Sequence, residues 1–248
     1  MTKHVFSGGI CIAVVLVAGA LAQPAPRCAP DSQSAAPATT QNHSPAELNA
    51  VLTRMDQAAA KFRTTQADFV WDQYSKVVNE TDTQKGTLYF RRVKSGVEMA
   101  AHITEPGMKY VLFRDGKARV YEPGIDQETV YNAGKSKADF ESFLVLGFGG
   151  GGHELEKSFD VRYLGQDQAQ GVKADELELT PKSQRVRNTF SQILLWIDPA
   201  RGVSVQQKLL EPSGDYRLAK YSNIQINTRI PDSIFKLKTT GKTRVITP

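Results

Sequence analysis

Residues 138–152 read ADFESFLVLGFGGGG, and the reading of this stretch decides what the rest of the chain must build. Phe140, Phe143 and Leu144 recur at i, i+3 and i+4, with Gly147 one turn on, and Lys137, Asp139 and Glu141 surround the first turn with charge. That spacing predicts a short amphipathic helix. Val145, Leu146 and Phe148 complete its apolar block, and from 147 to 152 five of six positions are glycine, so the backbone there has little preference for one state. A greasy helix beside a hinge of Gly147, Gly149 and Gly150 reads as a movable cover. A core helix with a glycine-rich exit loop fits the same residues, and the flanking chain has to decide between them.

Upstream, Ser44, Pro45 and Glu47 form a capping arrangement, followed by Leu48, Val51, Leu52, Met55, Ala59 and Phe62 at helical spacing. One amphipathic helix to about Arg63 is predicted. The period then changes to two: Ala67, Phe69 and Trp71 alternate with Asp68, Val70 and Asp72, and Gly86, Leu88, Phe90 and Arg92 with Thr87, Tyr89 and Arg91. The polar segment 79–85 reads as their connection. Further strands are expected at 96–104, 109–114, 118–122 and 128–131, with Asp115-Gly116 as a tight hairpin turn. After the 138–148 helix the pattern resumes at 159–165, 173–180, 189–198, 203–210 and 216–227, with a last pair near 235–237 and 243–246. About eleven strands joined mostly as hairpins, without βαβ alternation, predict a curved, incompletely closed antiparallel β half-barrel, mainly β with two covering helices.

The ends of the chain bound where this domain sits. Lys3 and His4, the apolar run 10–20 and Ala20-Leu21-Ala22 before Gln23 form a cleavable secretory signal. Residues 1–22 are therefore expected to be removed, which places the protein outside the cytoplasm. Cys11 lies in the signal, so Cys28 is left without an intramolecular partner; Pro26 and Arg27 before it do not match a lipid-attachment site, and it reads as a linker residue. Residues 23–43, rich in Pro, Ala, Ser, Gln and Thr, cannot bury enough apolar area to order themselves and serve as a tether. The folded unit is expected over 44–248 as a monomer. A net charge of +5, with lysines and acids interspersed, shows no nucleic-acid cluster.

The residues also argue against a reaction centre. His153-Glu154-Leu155-Glu156-Lys157 begins like a zinc motif, but Lys157 stands where the second ligand would be. The glycine run lacks the Lys-Ser/Thr of a phosphate loop, and a strand, not a helix, is expected after it. No G-x-S-x-G turn occurs. Glu176 and Glu178 share a strand face opposite Leu177 and Leu179, as a solvated face would. No catalytic set, metal or cofactor is expected, and export of an apolar-rich chain of this kind points to binding. Arg92 is the odd residue: by period two it shares the face of Leu88 and Phe90. It either reaches water at the strand end or finds the unpaired C-terminal carbonyls of a covering helix.

Taken in order, the opening helix ending near Phe62, ADFVW (67–71), GTLYFRR (86–92), FRDGK (113–117) with VYEP (120–123), FESFLVLGF (140–148), LELTPK (177–182) and DSIFKL (232–237) resemble the LolA family of periplasmic lipoprotein carriers over nearly all of 44–248. The resemblance implies a LolA/LolB-like half-barrel whose hydrophobic hollow is covered by helices. It implies carriage of lipoprotein acyl chains from the inner to the outer membrane, with an inner-membrane ABC exporter as donor and an outer-membrane acceptor. Gly86, Leu88 and Arg92 match the family's G-x-L-x-x-x-R strand, which carries the latch of the lid over to Arg92; Val93 stands where the family usually has proline. The expected lid is Phe140, Phe143, Leu144, Leu146 and Phe148, and the expected lining is Phe69, Trp71, Leu88, Phe90, Met99, Ile103, Leu112, Leu177, Leu179 and Leu195. A lipid-sensing adapter, or a carrier of another lipid class, is the alternative. Such adapters generally carry a second domain, for which no room is expected after Pro248.

Overall fold

The computed structural model describes residues 44–94, 96–132 and 146–247. Helix α1, Pro45–Lys61, starts where its capping residues place it: the Ser44 hydroxyl accepts from the Glu47 N–H at 3.3 Å, and the Glu47 carboxylate accepts from the Ser44 N–H at 2.7 Å. These bonds satisfy donors that a helix start leaves unpaired. Val51, Leu52 and Met55, on one face, are buried.

Among the described residues, twelve strands form one sheet: β1 Thr64–Ser75, β2 Glu80–Val93, β3 Gly96–Glu105, β4 Lys109–Arg114, β5 Lys117–Glu122, β6 Gln127–Asn132, β7 Phe159–Ala169, β8 Val172–Pro181, β9 Gln192–Asp198, β10 Val203–Leu210, β11 Tyr216–Ile226 and β12 Arg244–Ile246. Their spatial order is β12-β6-β5-β4-β3-β2-β1-β11-β10-β9-β8-β7. Strands β7 and β12 lie at opposite edges and do not pair, so the sheet curves without closing, as the hairpin pattern predicts. Two short helices follow, α2 at Gly152–Ser158 and α3 at Gln184–Arg187, with 3₁₀ turns at Pro123–Ile125 and Asp232–Phe235.

Several local expectations need correction. The connection predicted at 79–85 is strand for most of its length, because β2 begins at Glu80 and pairs with β1 all the way from Ser75. The chain after the glycine run is helix α2, not strand. The last pair resolves into a 3₁₀ turn and one strand, and β12 runs parallel to β6, so the sheet is not wholly antiparallel.

Period two gives the sheet two apolar faces, each covered in a different way. On the inner face, α1 lies over β8 and β9: Val51, Leu52 and Met55 pack with Leu177, Leu179, Ile193 and Leu195. The other half of that face, from β1 to β5 and on to β11, carries its own cluster. On the outer face, Phe235 from the C-terminal segment packs on Ala100 and Leu112.

Candidate functional site: the inner apolar face

The inner face of β1 to β5 is built in rows across the ladder. Phe90, Met99, Phe113 and Ala118 are successive neighbours, and so are Ala67, Leu88, Ala101, Val111 and Val120. Ala67, Ala101 and Ala118 interrupt the larger side chains of these rows, which leaves the surface apolar and uneven in depth. Gly86 belongs to the same construction: at the bulge between β2 and β3, a Cβ there would lie 2.0 Å from the His102 carbonyl oxygen. Only glycine admits that approach.

Phe69, Phe90, Met99 and Ile103 sit in this cluster, with Trp71 and Leu88 half-buried against it. Leu177, Leu179 and Leu195 share the inner face but are fully covered by α1, in the neighbouring cluster. Leu112 is a correction. Its neighbours Val111 and Phe113 point inward, so period two turns Leu112 outward onto Phe235. Phe140, Phe143 and Leu144, and the helix expected to carry them, lie outside the described residues.

The end of that stretch is described. Phe148 stacks on Phe90 with centroids 5.4 Å apart and meets Tyr221 edge-on at 4.8 Å, whereas Leu146 enters the cluster beneath α1. One residue separates them, so Gly147 must turn the chain, at φ +76° and so close to Ser204 that a Cβ would collide. Backbone carbonyls here are held by three donors. The Gln207 amide donates to Leu146, the Ser204 N–H to Gly147 at 2.8 Å, and the Arg92 guanidinium to Gly149 at 2.8 Å. Tyr221 donates to the same Gln207 side chain at 3.3 Å, and its burial pushes the phenol's pKa up, so it stays a donor. Sequence patterning missed Ser204, Gln207 and Tyr221; Tyr221 alone left a signal, by alternating with Ala219 on β11.

Arg92 is exposed at the end of β2, on the face of Leu88 and Phe90. Besides Gly149 it donates to the Ala59 carbonyl in the last turn of α1 at 3.4 Å, and its guanidinium lies 5.6 Å over the Phe62 ring. It thereby joins the end of α1 to the start of the glycine run. The run itself lies tight against α1. A Cβ on Gly149 would meet the Phe62 ring at 2.5 Å, and one on Gly152 the Leu52 carbonyl oxygen at 2.3 Å.

Where the run becomes α2, His153 bonds Asp56 through Nδ1 and through its backbone N–H, and Asn49 through Nε2. The Asp56 hydrogen bond raises the imidazole pKa. The partners that a zinc motif would have put at Lys157 come instead from α1, as a carboxylate and an amide. Between those two residues of α1, Arg54 docks the helix onto the sheet by pairing with buried Asp175, a carboxylate that also accepts from Tyr163 at 3.1 Å and Gln166 at 3.0 Å. Desolvation, with Asp175 beside it, pushes the Tyr163 phenol up to about 12. Among the described residues, no cluster of three or more His, Cys, Asp or Glu could hold a metal, and no helix is long and apolar enough to cross a membrane.

An open half-barrel with an apolar inner face, partly roofed by a helix, is the class of fold these residues build. The particular family follows from the sequence: the family described as outer membrane lipoprotein carrier protein LolA matches residues 60–238, and the chain belongs to it. No curated protein matches by sequence. Among solved structures, MucB is similar at 15% identity and a TM-score of 0.50 over 80% of this chain and 64% of that one, so the chain spans less than two thirds of its length. An uncharacterized conserved protein from Thermus thermophilus is similar at 11% identity and a TM-score of 0.51, over 82% of this chain and 99% of the other. LprF from Mycobacterium bovis is similar at 12% identity and a TM-score of 0.45, over 75% and 96%.

Proposed function

We propose that the protein is a periplasmic carrier that holds the acyl chains of lipoproteins against the inner face of β1 to β5 and moves them from the inner to the outer membrane. The observation that carries this reading is Phe148: it lies in the apolar cluster, yet its stretch of chain is anchored there through backbone carbonyls at Leu146, Gly147 and Gly149. A cover whose backbone is pinned only by exchangeable hydrogen bonds can leave an apolar face that acyl chains then occupy. Each large side chain of such a cover contributes about 1.5–3 kcal/mol by burial, so several sum to on the order of 10 kcal/mol. An acyl chain gains about 0.8 kcal/mol per methylene, so about fifteen methylenes compete on equal terms. Exchange between near-equal competitors needs no nucleotide bound by the carrier itself. In this reading residues 138–148 are the lid, Gly147, Gly149 and Gly150 its hinge, Arg92 the latch of the empty state, and an ABC exporter and an outer-membrane acceptor the partners.

Native mass spectrometry of the protein purified from the periplasm tests the reading. A co-purifying lipoprotein, lost on mild delipidation and reloaded from donor membranes, is expected. Protein that emerges without lipid and takes none from lipoprotein-bearing vesicles contradicts it. Free phospholipid in place of lipoprotein would reassign the cargo and leave the binding site standing.

A further inference from the structure

Strands β10 and β11 pair only from Gln206↔Lys220 to Leu210↔Tyr216. Beyond that they part, because each is bulged at the same level. Val205 is the extra residue of β10 against β9, and Asn223, at φ +50°, lies in the extra pair of β11 against β1. A bulge bends its strand and ends regular pairing, and two of them face each other across this one seam. The gap is a cleft of about 470 Å³. Val172, Val205 and Ile224 supply its apolar lining, and Gln170, Asn223 and Gln225 its amides. Ile224 packs both with the inner cluster and with the outer one around Trp196, so the seam is where the two faces of the sheet meet.

The chemistry of the cleft narrows its occupant. Its one cation, Arg201, is already paired with Asp198 at 2.6 Å and reaches the Ile224 carbonyl at 3.4 Å, which leaves no free charge for a phosphate. Its one aromatic ring, Tyr221, is packed edge-on against Phe148, and no platform is left for stacking a sugar. What the cleft does offer is the edge of β11 at 222–226, which has no ladder partner on the β10 side, the Gln225 amide, and the amide oxygens of Gln170 and Asn223, whose NH2 groups already donate to Gln206 at 3.1 Å and Asp68 at 2.8 Å. An extended backbone matches that set, as in recognition by strand addition.

We propose that the seam between β10 and β11 binds an extended, uncharged peptide segment, which adds alongside residues 222–226 of β11. The proposal rests on the carrier reading in one respect: it gives the polypeptide next to the acyl chains of a cargo its own seat, on the far side of Tyr221 from Phe148.

Calorimetric titration of the purified protein with four synthetic probes tests it: a diacylated neutral pentapeptide, the same peptide without acyl chains, a diacylglycerol, and a glycosyl diacylglycerol. Ser222→Trp and Gln225→Trp, at exposed positions, fill the mouth of the cleft without disturbing the core. The lipopeptide is expected to bind at least tenfold tighter than the diacylglycerol, and both variants should abolish that preference with diacylglycerol affinity unchanged. Equal binding of these two lipids, or a preference that survives both variants, overturns the proposal. So does a glycosyl diacylglycerol that matches the lipopeptide and is lost in the variants. If the peptide alone binds, in a manner sensitive to both variants, while no lipid binds, the slot stands and the carrier reading falls. Binding of none of the four overturns both.

Discussion

Replacing Arg92 with leucine separates a latch from a structural strut. The guanidinium makes one good hydrogen bond, to Gly149 at 2.8 Å, and one at the limit of useful geometry, to Ala59 at 3.4 Å. Charge-assisted bonds are worth about 1.5–3 kcal/mol, but this side chain is exposed and water competes, so about 1 kcal/mol is the fitting figure. The stacking over Phe62 adds about 0.5 kcal/mol. About 1.5 kcal/mol of preference for the closed state corresponds to roughly tenfold in apparent affinity. Arg92→Leu should therefore bind diacyl lipid about five- to tenfold tighter and release it more slowly to acceptor vesicles, with a Tm within about 6 °C of the parent. Arg91 is the matched control. One residue earlier on β2, it faces outward to Glu98, Asp232 and the Phe235 ring, so Arg91→Leu should leave lipid affinity unchanged. Equilibrium binding of a fluorescent diacyl lipid measures both. Unchanged affinity in Arg92→Leu, or an equal gain in Arg91→Leu, would refute the latch.

Other perturbations probe how the roof is fixed. Gly152→Ala pushes a Cβ into the Leu52 carbonyl, a backbone atom that cannot step aside, and should lower the Tm by about 5–10 °C in calorimetry. Asp175→Ala leaves Arg54, Tyr163 and Gln166 without their common acceptor and should cost about 2–4 kcal/mol, read from the urea midpoint. His153 has its folded pKa raised above the ordinary 6.5, so its contribution is complete below that value and is lost as pH rises through the folded pKa. The Tm advantage of the parent over His153→Phe should accordingly be larger at pH 5.5 than at pH 8.5, and an advantage that grows with pH would contradict the Asp56 pairing.

What the sequence made legible was local. The Ser44 and Glu47 cap announces α1, β4 and β10 begin and end where alternation and turn residues place them, and Arg92 shares its face with Leu88 and Phe90. The misses have one cause, cover supplied from far along the chain. Leu112 is apolar because Phe235, more than a hundred residues on, packs on the outer face of β4, and alternation cannot distinguish two buried faces. The helix after the glycine run is too short to show a period, and it is held by Asp56 and Asn49 of α1. The parallel pairing of β12 is fixed by where the C-terminal segment returns, at β6, and not by anything within 243–246. The glycine run looked like pure freedom, but Gly149 and Gly152 are also required by their closeness to Phe62 and Leu52.

The most direct measurement uses the two tryptophans, which the sheet separates. Trp71 borders the inner apolar cluster, and Trp196 is buried in the outer one. Lipids brominated along the acyl chain quench tryptophan at contact distance. In the parent and in Trp196→Phe they should quench strongly, and in Trp71→Phe they should not. Quenching confined to Trp196, or absent from both at saturating lipid, would contradict an acyl site on the inner face.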